Sequence, residues 1–261
     1  MNTVFELDHI TYAYPQSGPV LRDLSLVVRA GEKLSVLGAN GCGKSTLLKI
    51  FAGLVFPQSG SMTAFGEKID PKRFAGEVSN RYHRRIGFVF QDSEVQLFCS
   101  TVYEELAFGP LQLGLPRAAV KRRIAELAEL LGIEKLLDHT PFKLSGGEKK
   151  KVAIASVLIL NPEVLILDEP TNGLDPRSQA WLLNLLRSLG DAGKTLIFAT
   201  HNLDLVPQIS ERAVLFGEDH TVAADMPVGE LLGNAALLKR VNLVGEDYRA
   251  RPGTGNFTNG G

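Results

Sequence analysis

The sequence predicts an α/β fold with a mostly parallel core sheet, and three stretches carry that reading. Lys33 to Leu37 is a short apolar run that reads as a buried strand, and it leads through a glycine-rich turn into a helical start at Thr46 to Ala52. Val164-Leu165-Ile166-Leu167 is an unbroken apolar run ending in Asp168 and Glu169, the pattern of a strand covered on both faces of a parallel sheet. Thr195 to Thr200 repeats that pattern and ends at His201. Strands of this kind present functional groups at their carboxyl ends.

The turn between the first strand and its helix is Gly38-Ala39-Asn40-Gly41-Cys42-Gly43-Lys44-Ser45-Thr46. Gly, four residues, then Gly-Lys-Ser is the spacing of a phosphate cradle. Glycines let backbone N–H groups curl round phosphate oxygens, Lys44 supplies a point charge, and the Ser45 hydroxyl reaches a Mg²⁺ ion. The flanking strand and helix are the context such a motif needs, so a nucleotide is expected here.

Composition narrows the function classes. With 261 residues, 44% of them hydrophobic, the chain has enough apolar material for one large domain or a domain with a smaller companion. A net charge of −1 provides no field for nucleic acid or anionic lipid, and no nucleic-acid partner is expected. The short basic run Lys149-Lys150-Lys151 reads as a solvated helix face. Cys42 and Cys99 lack paired spacing and fit a reducing compartment, with cytoplasm the expectation. Met1 to Asp8 does not read as a basic apolar signal segment, and no run approaches the roughly 18 to 20 apolar residues of a membrane span. The five histidines show no metal-ligand spacing.

In chain order, Thr3 to Thr11 puts Phe5 and Leu7 on one face and Glu6 and Asp8 on the other, and Asp23 to Val28 alternates likewise. These read as antiparallel strands joined by a turn around Pro15 to Pro19. Near it lie Tyr12 and Tyr14, and either aromatic is placed to stack on a base. Phe56 to Gly60 is a breaker cluster, and Ser61 to Asp70 reads as a strand or hairpin. Ile86 to Phe90 is a compact strand ending at Gln91, and Asp92 to Gly109 reads as irregular. From Arg117 the period turns helical, with Val120, Ile124, Leu127 and Leu131 on one face and Gly132 as C-cap.

Ser145 followed three residues later by Glu148 is a capping box that opens another helix. Gly146 and Gly147 are poor helix formers in that first turn, so another demand put them there. Bare N–H groups at a helix N-terminus attract anions, and glycines let a phosphate approach closely. Asp168 is placed to hold Mg²⁺ directly or through water, and Glu169 to polarise an attacking water. Gly173 to Pro176 is a turn ahead of a helix carrying Trp181, Leu182, Leu185, Leu186 and Leu189. Val228 to Val241 reads as one helix, and Arg251 to Gly261 as a disordered tail.

Six motifs stand in order: Gly38 to Thr46, Gln91, Leu144 to Glu148, Val164 to Glu169, Gly173 to Asp175, and His201. Together they resemble the ATPase subunit of ATP-binding-cassette (ABC) transporters over about residues 1 to 217. The Leu-Ser-Gly-Gly-Glu segment discriminates, because other phosphate-loop ATPases and GTPases lack it. The resemblance implies a P-loop NTPase (ABC ATPase) fold with an N-terminal antiparallel β subdomain and a helical signature subdomain at about 92–160. Residues 218–250 then form a short C-terminal extension. The ligands implied are ATP and Mg²⁺. Tyr14 corresponds to the aromatic that stacks on adenine, and Gln91 to the residue that senses Mg²⁺ and links the site to the membrane partner. Glu169 corresponds to the general base and His201 to the γ-phosphate contact. Ser145, Gly146 and Gly147 resemble the signature that touches the γ-phosphate held by the opposite subunit. One phosphate loop and one signature therefore imply a second ATPase chain, either the same or a close relative.

A narrower resemblance runs through Gln91-Asp92-Ser93-Glu94-Val95-Gln96-Leu97-Phe98 and Thr101 to Pro110. It is similar to the energy-coupling-factor and cobalt/nickel uptake group, although Ser93 and Val95 depart from the proline and the acidic or amide residue of that pattern. This implies a transmembrane scaffold docking near Gln91 to Gly109, a substrate-capturing membrane component, and a peripheral position on the cytoplasmic face of the inner membrane. The cargo implied is a cobalt or nickel ion or a vitamin.

Overall fold

A computed structural model describes residues 2–245 and 247–248, so the tail expected from Arg251 onward lies outside the described residues. Alternation of apolar and polar side chains forms β1 (Thr3–Ala13) and β2 (Pro19–Arg29), which pair antiparallel, with Phe5 and Leu7 buried and Glu6 and Asp8 exposed. After them come β3 (Lys33–Leu37), α1 (Lys44–Phe51), the hairpin of β4 (Ser59–Ala64) and β5 (Glu67–Lys68), α2 (Gly76–Arg85) and β6 (Ile86–Val89). A 3₁₀ turn at Ser93–Val95 precedes α3 (Val102–Gln112) and α4 (Arg117–Leu131). The chain continues through α5 (Gly146–Leu158), β7 (Val164–Asp168), α6 (Pro176–Asp191), β8 (Thr195–Ala199), α7 (Val206–Ile209) and β9 (Arg212–Phe216). It closes with β10 (Val222–Pro227), α8 (Val228–Gly233) and α9 (Ala235–Arg240).

Among the described residues two sheets form. The antiparallel one has the order β2-β1-β4-β5, and the core sheet the order β10-β9-β3-β8-β7-β6. Strands β9, β3, β8, β7 and β6 run parallel, and β10 adds an antiparallel edge to β9. Every residue of β7 and of β8 is buried, as their continuous apolar runs require. Helix α1 lies between the sheets, with the Phe51 ring 4.6 Å from that of Phe5. Burying an aromatic of this size contributes about 1.5–3 kcal/mol. A separate apolar cluster joins α3, α4 and α5 through Leu106, Ile124 and Val152.

Three expectations change and one helix is new. The stretch read as irregular contains α3, where Thr101 and Glu104 form a complete capping box. Its buried face includes a carboxylate, Glu105, which accepts the N–H groups of Phe98 and Cys99 at 2.9 and 2.8 Å, and the helix runs through Pro110. Both features hide a helical period. Helix α2 was not anticipated, because only Tyr82 of its residues is buried and most of its face is polar. Val228 to Val241 is two short helices, since Asn234 breaks the run and its side chain caps α9 by accepting the Leu237 N–H at 3.0 Å. The lysine run is no solvated face: Lys149 pairs with Glu94, Lys150 is buried, and Lys151 lies 4.9 Å over the Trp181 ring.

Candidate functional site

The phosphate loop follows from two glycines that tolerate nothing larger. Gly38 has φ +147°, and a Cβ there would lie 2.6 Å from the Cys42 sulfur. Gly43 has φ +116°, and its Cβ would lie 2.4 Å from the Val20 carbonyl oxygen. The loop thus packs against β2 and the end of β9 and turns directly into α1, whose N-terminus has no side-chain cap. Uncapped N–H groups at a helix start form an anion site. The Lys44 ammonium folds over the loop and donates to the Gly38 and Ala39 carbonyls at 2.8 and 3.0 Å.

A cavity of about 400 Å³ opens above this loop. The loop contributes Asn40, Gly41, Gly43, Lys44, Ser45 and Thr46; Tyr14 and Gln91 border it, and Glu169 and His201 arrive from the ends of β7 and β8. Tyr14 lines the cavity with its hydroxyl 3.3 Å from Thr46 Oγ1, whereas Tyr12 sits edge-on to it at 5.1 Å and packs on the core. Gly38 and Cys42 do not line the cavity. The Cys42 side chain is in the apolar core, which pushes its thiol pKa up, so only its backbone is available to a ligand.

Asp168 ends β7 almost fully buried, and its Oδ1 has no hydrogen-bond partner. Burial raises the pKa of its carboxyl, and the Ser45 hydroxyl opposes that rise by favouring the carboxylate. An orphaned carboxylate oxygen beside a hydroxyl, at the edge of an anion cradle, fits Mg²⁺, a hard ion that takes oxygen ligands and shares them with phosphates and water. Glu169 is 7% exposed and has φ +43°, a left-handed backbone unusual for a residue with a Cβ. Its N–H donates to the Ala199 carbonyl at 3.0 Å, and its Oε1 lies 2.8 Å from His201 Nδ1. The carboxylate is therefore held at the cavity wall by both strand ends.

Ser145, Gly146, Gly147 and Glu148 are absent from this cavity. Ser145 and Glu148 form a complete capping box, with the Ser145 N–H donating to Glu148 Oε2 at 2.9 Å, and the Ser145 hydroxyl is the main reason the Glu148 carboxyl lies below its usual range. A Cβ at Gly146 would meet open space, but at Gly147 it would lie 2.4 Å from the Ser178 hydroxyl. Gly147 thus serves an internal contact between α5 and α6 that the sequence did not disclose. Val20 and Asn172 also line the cavity and were not anticipated. The polar turn after Glu169 held the signal for Asn172; no local pattern pointed to Val20.

The parallel sheet and the glycine cradle at its carboxyl edge define a class, the phosphate-loop NTPases. The ABC transporter family model matches residues 21–172. NikO, a nickel import ATP-binding protein of Rhodobacter capsulatus, is 46% identical over 94% of this chain and 97% of its own length. The energy-coupling factor transporter ATP-binding protein EcfA of Methanothermobacter thermautotrophicus is 37% identical over 92% of this chain and 76% of its own. The solved structure of cbiO1 from Clostridium perfringens, part of the ABC transporter complex cbiONQ, superposes with a TM-score of 0.80 at 34% identity, covering 93% of this chain and 96% of that one. The chain belongs to the ABC transporter family, as an ATP-binding subunit that couples ATP hydrolysis to transport.

Proposed function

We propose that this chain is the motor of an energy-coupling-factor-type importer for a nickel or cobalt ion or a vitamin, working as a pair of ATPase chains on a membrane scaffold. The cargo class rests on the likeness to NikO, EcfA and cbiO1. The pairing rests on one observation: the loop, Gln91, Glu169 and His201 share a cavity that leaves out the capped N-terminus of α5. In this reading Tyr14 stacks on adenine, and the N–H groups of Gly38 to Thr46 with Lys44 hold the phosphates. Ser45, Asp168 and Gln91 hold Mg²⁺, which when bound supplies charge neutralisation at the phosphates. Glu169 takes the proton of the attacking water, and His201 orients that carboxylate and contacts the γ-phosphate. Ser145 to Gly147 close over the ATP of the partner chain, so ATP joins two chains and ADP releases them. Residues at about 92–160 act as the signature subdomain, residues 1–217 as the ATPase domain and 218–250 as an extension to it.

Among the described residues no helix is long and apolar enough to cross a membrane. An apolar groove of about 540 Å³ includes Phe98, Tyr103, Phe108 and Leu111, with Phe98 60% exposed and its ring 5.0 Å from that of Phe108. We assign it to the scaffold subunit, which would keep this chain peripheral on the cytoplasmic face. The direct test is to extract the intact complex in detergent and identify its subunits, then measure nickel, cobalt and vitamin uptake. A second ATPase chain, a scaffold and a small substrate-capturing membrane protein are expected; a periplasmic binding protein in place of the last would overturn the importer class. Phe98→Glu should weaken association with the scaffold about ten- to a hundredfold while nucleotide affinity of the purified chain stays within about twofold.

Cys99 borders the same groove, and burial first and Glu105 second push its thiol up to about 11. Because only the thiolate reacts, and its fraction falls about tenfold per pH unit below the pKa, alkylation of Cys99 by iodoacetamide should be slow near pH 7.5 and climb steadily toward pH 11. Mass spectrometry of the labelled chain reads this directly, and fast labelling at neutral pH would contradict it.

A further inference from the structure

We infer that Lys150 is a positioning residue that sets Gln91 by gripping the backbone on either side of it from the helix opened by Ser145. Lys150 is only 3% exposed, and its ammonium donates to the carbonyls of Phe90 at 3.2 Å and Gln91 at 2.9 Å. Phe90 is also held through its preceding peptide. The Phe90 N–H donates to Gln96 Oε1 at 3.2 Å, while Gln96 Nε2 donates to the Ala153 carbonyl of α5 at 2.8 Å. Lys149, one residue earlier on α5, pairs with Glu94 in the intervening turn. Residues 90–96 are thus tied to α5 by three side chains of the helix, Lys149, Lys150 and Ser156, and by Gln96 of the loop.

Burying an ammonium costs solvation that an apolar side chain of similar length would not, so its presence needs a reason beyond packing. Burial depresses the Lys150 pKa, and the nearby carboxylates of Asp92 and Asp168 oppose that by favouring the charged form. The reason lies in geometry. Gln91 borders the ATP cavity, α5 carries the segment assigned to the partner chain's ATP, and Lys150 joins them within one turn of Glu148. A rigid link makes any displacement of α5 a displacement of the Gln91 backbone, and misplacement of a ligand-orienting group by about 1 Å is enough to slow chemistry severely. The inference rests on the proposed role of Gln91 in the site.

The test uses the full chain and Lys150→Met, which keeps length and removes the donors, with Lys150→Arg as the conservative partner. Without nucleotide, amide exchange over residues 90–96 is expected to quicken about tenfold or more in Lys150→Met while α5 stays protected, and Lys150→Arg is expected to restore most of the protection. With ATP, kcat should fall about ten- to a hundredfold at nearly unchanged nucleotide affinity, again recovered by Arg. Gln96→Leu, which removes the other hold on Phe90, should give the same exchange signature and the same split between kcat and affinity. Wild-type exchange over 90–96 in a folded variant overturns the inference, as does a fall of kcat and affinity in parallel with Tm, which a merely structural lysine would produce. The exchange arm needs no turnover, so failure of the clamp is distinguishable from failure of the proposed ATP chemistry.

Discussion

Replacing Glu169 by Gln is expected to leave ATP binding intact and to cut turnover by about 10²- to 10⁴-fold. The substitution is close to isosteric. Glu169 is held by its backbone bond to Ala199, and a glutamine keeps an oxygen that can accept from His201 Nδ1, so the cavity wall should stand. What the amide cannot do is take a proton from water. ATP would then bind, draw two chains together and stay unhydrolysed, and the pair should persist in size-exclusion chromatography with ATP and dissolve with ADP. Phosphate release read alongside the elution profile decides the matter. Normal turnover would remove Glu169 from the role of base, and absence of an ATP-dependent dimer would remove the composite site.

A large loss is also expected from Gly43→Ala, this time in the fold as well as the site. The left-handed backbone at φ +116° costs a residue with a Cβ about 1–3 kcal/mol, and the contact at 2.4 Å with the Val20 carbonyl is with backbone that has little room to retreat, adding about 1–3 kcal/mol more. At about 2–4 °C per kcal/mol for a domain of this size, Tm should drop by roughly 5–20 °C. Nucleotide affinity should fall with it, because Gly43 is the N-cap of α1 and any shift re-aims the N–H groups there. Gly41→Ala is the comparison. Gly41 also has a positive φ, +82°, but its Cβ would meet open space, so only the backbone strain remains and a loss of about 1–3 kcal/mol is expected. Equal losses at the two positions in differential scanning calorimetry would show that crowding against β2 is not what Gly43 relieves.

Much of the site was legible because its chemistry is written in contiguous residues. The loop Gly38 to Thr46, the acids closing β7, His201 closing β8 and the Ser145–Glu148 cap each rest on backbone conformations set within a few positions, and the structure carries each on the expected element. Tyr14 was set apart from Tyr12 by resemblance, and of the two only Tyr14 borders the cavity. Helix α3 went unread because its face mixes a buried carboxylate with a proline, and its buried Glu105 is satisfied by loop N–H groups that no periodicity shows.

What the sequence by itself determined is the chemistry available and the elements that carry it: a glycine-rich phosphate loop, two acids at a buried strand end, and a capped helix opened by two glycines. Only the tertiary structure decided which of these share a cavity. Val20 reaches the loop from a neighbouring strand, Ser178 accounts for Gly147, and Lys150 finds the Gln91 carbonyl across 59 positions of chain. The physical reason is that local propensity acts over a few residues, whereas burial brings distant segments to van der Waals contact and drives most of their polar groups to find partners.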